Sequence, residues 1–184
     1  ATLIKIRDAT PGLWTISVYG DIVNDGTIDA YLPMSSVGYS GIEFTSPDPN
    51  YTVTVPAANG TLISVGAYDN SENRLYAESS YGPTRRPQNA PDLVAPGVRV
   101  SGLFPGGIGV MSGTSVAAAI TAGGAALMLQ WGIVEKNNVS LNTFEIKDLL
   151  IKGCARDDTR TYPNQQWGYG RLDLYNSFRL MRET

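Results

Sequence analysis

Apolar residues along this chain change their period part-way. Trp14, Ile16 and Val18 alternate with Thr15 and Ser17, and Ile28, Ala30 and Leu32 repeat the alternation after Asn24-Asp25-Gly26. A period of two is that of a strand with one buried face, so these runs predict a β-hairpin with a short turn. Residues 33–49 are rich in Ser, Gly and Pro and read as a connection. Alternation then resumes in Tyr51-Thr52-Val53-Thr54-Val55 until Pro56 stops it. A boundary near residue 56 follows, with segments 1–56 and 57–184.

Beyond that boundary the texture shifts. Leu62-Ile63-Ser64-Val65-Gly66-Ala67 reads as a short strand buried on both faces, and the stretch from Asp92 to Val100 contains another. Helical patterns follow at Ser115 to Trp131, at about 143–153 and from Asp173, a candidate N-cap, to Met181. Short apolar strands ahead of long helices predict an α/β fold with a parallel sheet and the Ser115 helix packed on one face. That helix has three polar side chains in seventeen residues, Ser115, Thr121 and Gln130. An all-round apolar helix is expected to be buried, with its first N–H groups aimed at whatever precedes it. Such a terminus attracts anions. Judged by position alone, Ser115 is an ordinary helix cap.

Composition removes several function classes. The net charge of −3 and the scattered Lys and Arg residues, clustered only at Arg85-Arg86, give no basic stripe for nucleic acid. The run from Ser115 to Trp131 is interrupted by Gly123-Gly124 and is shorter than the roughly 20 residues a bilayer crossing needs, so it reads as a core helix and not a membrane span. No positively charged leader or cleavage pattern opens the chain at Ala1. Cys154, the one cysteine, excludes an internal disulfide and reads as a small buried apolar residue. The acidic residues form no D-x-D-x-D-G loop, so no metal site and no cofactor are expected, although backbone carbonyls could hold a structural calcium. Trp14 and Tyr31 could form an aromatic binding platform, but the register of Trp14 with Ile16 and Val18 assigns it to the core. The chain has no histidine, and a serine hydroxyl is a weak nucleophile without a base.

Four blocks carry a family resemblance. Ser112-Gly113-Thr114-Ser115-Val116-Ala117-Ala118-Ala119, with Ala122-Gly123 downstream, resembles the S-G-T-S-M-A-x-P-H-V-A-G nucleophile motif of subtilisin-like serine proteases. Ser79-Ser80-Tyr81-Gly82-Pro83-Thr84 resembles their S-x-G-P turn, and Pro91-Asp92-Leu93-Val94-Ala95-Pro96-Gly97 their P-D-L-V-A-P-G segment. Gly168-Tyr169-Gly170-Arg171-Leu172-Asp173 resembles the turn before their last helix. All four stand in the family's order, and the resemblance covers roughly residues 52–184. Ala119 and Ile120 depart from the usual proline and histidine, neither of them a triad member.

The resemblance implies the C-terminal portion of a three-layer subtilisin-like domain, in which Ser115 Oγ attacks the scissile carbonyl and its own N–H helps to hold the oxyanion. Triad order in the family is Asp, His, Ser. The orienting aspartate, the base and the oxyanion asparagine are therefore expected upstream, and this chain alone is expected to be inactive. Asn59-Gly60 is read as a turn and not as the oxyanion residue. The β-rich start resembles the end of a jelly-roll insert of the kind found in clostridial members, and a piece so small implies an incomplete N-terminus. Expected partners are a protein or peptide substrate and the upstream part of the same protease. The alternative is a catalytically silent scaffold that binds a protein partner. The residues do not record a compartment, and the resemblance points toward an extracytoplasmic or spore-associated one.

Overall fold

A computed structural model describes residues 2–32, 41–85 and 89–183. Residues 33–40 of the expected connection, together with Arg86, lie outside the described residues. The chain divides into two units, 1–47 and 48–184.

The first unit does not form the expected hairpin. Its described residues contain no strand, and Leu13, Trp14, Ile16, Val18, Ile28 and Tyr31 are all exposed. Trp14, assigned to the core from its register, is 53% exposed, with Nε1 donating to the Thr10 carbonyl at 3.0 Å. What survives of the pattern is its turn, where the Asp25 carboxylate accepts from the Thr27 N–H and hydroxyl. Alternation marks a face that needs another surface; two strands without one are marginal in water. The turn is held by its own side chain and needs no such surface.

Residues 51–55 are likewise not a strand, but they are anchored in the second unit. The Thr52 N–H donates to the Tyr81 carbonyl at 3.1 Å, and the Tyr81 N–H returns to Thr52 Oγ1 at 2.9 Å. The division consequently falls after Pro47.

The second unit is α/β. Strand β1 (Val65–Asp69) runs parallel to β3 (Leu93–Pro96) and antiparallel to the two-residue β2 (Arg74–Leu75). The sheet order is β2-β1-β3. Arg171 extends it beyond β3 by bridges to Val94 and Ala155. Val65 and Ala67 on β1, with Leu93 and Ala95 on β3, share one face by the period of two. That face takes α1 (Thr114–Leu129) through a layer of small side chains, Ala67, Ala95 and Ala117. Leu93 continues it into the main core, with Met128 of α1, Leu150 of α2 (Thr143–Gly153) and Met181 of α3 (Leu174–Glu183). On the other face Tyr68 and Val94 pack on Trp167.

Both later helices begin as their sequences dictate. Asn142 Oδ1 accepts from the N–H groups of Phe144 and Glu145 while Glu145 reaches back to the Asn142 N–H, a complete capping box. Asp173 Oδ1 accepts from the Asn176 N–H at 2.9 Å, as an N-cap should.

Helix α1 departs from expectation. It buries a single stripe, Ala117, Thr121, Gly124 and Met128, at spacings of four, three and four. Ala118, Ala119, Ala122, Gly123, Ala126 and Leu127 are exposed. A uniformly apolar helix can bury every face only where something covers every face, and the described residues cover one. The helical path also continues through a π-helical segment, Gln130–Val134, so the apolar stretch reaches 21 residues instead of ending at Trp131. By length and composition it could cross a membrane, but its buried stripe lies on β1 and β3, as in a sheet-covering helix.

Helices α2 and α3 meet where Gly153 lies against Ser177. A Cβ on Gly153 would lie 2.2 Å from Ser177 Oγ and 2.8 Å from its backbone nitrogen. Gly153→Ala in the full-length protein is expected to destabilise this domain by about 2 kcal/mol through overpacking, read as a lowered denaturant midpoint.

Candidate active site

Ser115 is the second residue of α1, not its cap. The cap is Gly113, whose φ of 147° suits a residue without a Cβ, and no side chain caps the terminus. The Gly113 carbonyl accepts from the N–H groups of Val116 and Ala117, at 3.1 and 3.3 Å. Those of Thr114 and Ser115 find no backbone acceptor among the described residues. The first turn carries no acidic residue to neutralise its partial positive charge. Ser115 itself is exposed. A hydroxyl and a free N–H on one residue at a helix start are the two groups that acyl transfer asks of its nucleophile.

The approach to Ser115 is a hairpin that sequence reasoning missed. Strands β4 (Val100–Phe104) and β5 (Gly107–Met111) pair in antiparallel register and end one residue before Ser112. The signal was present as Pro105-Gly106 between apolar runs.

A short loop, residues 97–99, ties this approach to the sheet. The Gly97 N–H donates to the Tyr68 carbonyl at 3.0 Å, and the Gly97 carbonyl accepts from the Gly113 N–H at 2.7 Å. A Cβ at Gly97 would lie 2.6 Å from the Ala67 methyl and 2.9 Å from the Gly113 oxygen. Two residues on, the Arg99 N–H donates to Ser112 Oγ at 2.9 Å. The Arg99 guanidinium reaches back to Ser71 Oγ at 2.8 Å and Asp69 Oδ2 at 3.4 Å. Asp69 is nearly inaccessible, and its carboxyl is held below the ordinary carboxylate range, chiefly by the Ser71 hydroxyl, which donates to it at 2.6 Å.

The four sequence blocks converge on this frame. Ser79 Oγ accepts from the Ala67 N–H on β1, the Tyr169 N–H donates to the Asp92 carbonyl, and Leu172 and Gly170 exchange bonds with Val94 on β3. Asp92 is buried and paired with Lys147 Nζ at 2.8 Å, which joins α2 to the start of β3.

Other sequence candidates fall elsewhere. The Asn59 side-chain oxygen accepts from Thr61 within its own turn, as a loop residue does. Trp14 and Tyr31 belong to the first unit and are exposed. Among the described residues no three His, Cys, Asp or Glu side chains are grouped to hold a metal ion. Beside the exposed side of α1 lies an apolar groove of about 300 Å³, lined by Ile63, Val65, Ala118, Ala122, Ala125 and Leu129.

Comparison with known proteins places this geometry. The sequence model of the subtilase family of peptidases, S8, matches residues 21–170. This chain belongs to the subtilase family. The match begins inside the first unit, well ahead of the four blocks. Serine protease AprX of Bacillus subtilis is 30% identical over 154 residues, which cover 72% of this chain and 33% of that protein. Subtilisin BL of Lederbergia lenta is 33% identical over 126 residues, 66% of this chain and 41% of that protein. Among solved structures, the CspB protease of Clostridium perfringens superposes with a TM-score of 0.72 at 37% identity, covering 76% of this chain and 31% of that one. The self-cleaved protease domain of PatA gives 0.59 at 28% identity, covering 73% and 47%. The chain thus spans about a third to a half of the proteins it resembles.

Cys154 is no part of this subtilase site. It is buried at the end of α2, its Sγ donates to the Leu150 carbonyl at 3.2 Å, and burial pushes the thiol up to about 12. At pH 8 it remains a thiol, so iodoacetamide is expected to leave Cys154 unmodified in the native protein and to alkylate it after unfolding, as read by peptide mass spectrometry.

Proposed function

We propose that this chain is the nucleophile-bearing part of a serine endopeptidase that cleaves protein or peptide substrates through an acyl-enzyme. Ser115 Oγ attacks the scissile carbonyl, the proton passes to a histidine oriented by an aspartate, and the oxyanion is held by the Ser115 N–H with an asparagine. The histidine, aspartate and asparagine come from sequence preceding this chain. The amine leaves with the proton from the histidine, and water then releases the acyl group by the same route in reverse. The chemistry uses side chains and backbone alone, without a cofactor.

One observation carries this reading: Ser115 stands two places past a glycine cap, exposed, with its N–H lacking a backbone acceptor. A serine kept only to cap the helix would stand at residue 113. The uncovered apolar side of α1 supports the same reading, since a helix with seven exposed Ala, Gly and Leu positions needs a second covering layer. On this reading that layer comes from the upstream part of the protease.

In the full-length protein, a fluorophosphonate probe is expected to label the parent and not Ser115→Ala, and turnover of Ser115→Ala to fall on the order of 10⁶-fold, the size known for the triad serine of subtilisin. Equal labelling of both proteins, or of neither, overturns the assignment and leaves a silent scaffold as the better account. Residues 1–184 alone are expected to hydrolyse no peptide, because Ser115 then has no imidazole to take its proton. Measurable turnover by that polypeptide would refute this.

A further inference from the structure

Arg99 occupies a conformation its side chain does not favour. Its φ is 52°, in the left-handed region where a side chain with a Cβ is strained, and it stands beyond Gly97 and Val98 in a loop with no turn-forming side chain of its own. Strain of this kind persists only where surrounding contacts over-determine it. Here they do so from both sides. The Arg99 N–H is bonded to Ser112 Oγ, three residues before the nucleophile, and its guanidinium to Asp69 at the end of β1 and Ser71 in the turn that follows. Glu72 lies a further 4.0 Å from the same nitrogen.

This arrangement makes one rigid path from the sheet to the helix start. The left-handed turn at Arg99 is what points its N–H at Ser112, and the anchored guanidinium is what holds that turn. Ser112 in turn flanks Gly113, whose N–H is already fixed by Gly97. We propose that Arg99 is a positioning residue for the reaction, its guanidinium tether on Asp69 and Ser71 holding the strained loop that fixes Ser112 and so the direction of Ser115. The proposal rests on Ser115 being the nucleophile. Its two ends are side chains that neither touch the substrate nor take a proton, so it works through geometry alone.

The test uses the full-length protease and a peptide substrate, with kcat, KM and thermal midpoint measured for Arg99→Ala, Arg99→Lys, Ser112→Ala and Ser115→Ala. Misplacement of a reacting group by about 1 Å costs up to roughly 100-fold in rate, so Arg99→Ala is expected to lower kcat by about 10-fold or more with KM within twofold of the parent. Arg99→Lys, which keeps a cation opposite Asp69, is expected to restore part of that loss. Ser112→Ala keeps both anchors of Arg99 and removes only the acceptor, so it is expected to show the same kcat loss; it serves as the deciding variant should Arg99→Ala fail to fold. Parental kcat in Arg99→Ala and Ser112→Ala overturns the proposal even where the thermal midpoint falls, because that pattern is a purely structural role. With Ser115→Ala inactive, that outcome leaves the nucleophile reading standing. Retained turnover in Ser115→Ala overturns both.

Discussion

The construction of the site depends on one close passage of backbone, where Gly97 threads between the end of β1 and the start of α1. Its N–H is bonded to Tyr68 and its carbonyl to Gly113, so one residue joins the sheet to the helix cap. The passage is possible only because everything around it is small. A Cβ at residue 97 would press on the Ala67 methyl and on the Gly113 oxygen at once, and the layer behind it is Ala67, Ala95 and Ala117. Larger side chains at those positions would lift α1 from the sheet and take Ser115 with it. The alanines are therefore part of the site's geometry as well as of its core.

The same constraint explains why α1 looks so apolar. A helix lying on alanines must itself present a small side chain there, and Ala117 does so, while Gly124 leaves room for Leu174 before the larger Met128 reaches the main core. The remaining faces are equally apolar, yet the second unit leaves them open beside the groove of Ile63, Val65 and Leu129. Placement of Ser115 and covering of the helix are separable tasks. The described residues do the first through Gly97, Ser112 and Gly113, and cover α1 along one stripe only.

What was legible in the sequence follows the range of the interactions involved. The cap at Asp173 and the Asx turns at Asp25 and Asn59 are held by neighbours two or three residues away, and each forms as its sequence implies. The parallel strands were legible because both faces are buried, which leaves a continuous apolar run. The period-two segments of the first unit were not, since alternation records the existence of a buried face and says nothing about who buries it. Position alone made Ser115 a cap, and what removes it from that role is a two-residue offset of the cap to Gly113, within the uncertainty of any boundary read from periodicity.

Arg99 shows the opposite limit. Nothing in Val98-Arg99-Val100 marks a left-handed residue, because the reasons for its conformation lie thirteen residues ahead in Ser112 and about thirty behind in Asp69 and Ser71. Such a residue is invisible to local rules. Strained backbone needs compensating contacts, and those present lead on one side to Ser112, three residues before Ser115, and on the other to Asp69 at the end of β1 and Ser71 just after it. The buried pair of Asp92 and Lys147 makes an instructive contrast. It too spans distant parts of the chain, but it joins α2 to β3 through Ser64 and the carbonyls of Gly60 and Leu62, on groups that the nucleophile loop does not share. Long-range polar contacts in this domain thus fall into two sets, one that assembles the layers and one that aims a single serine.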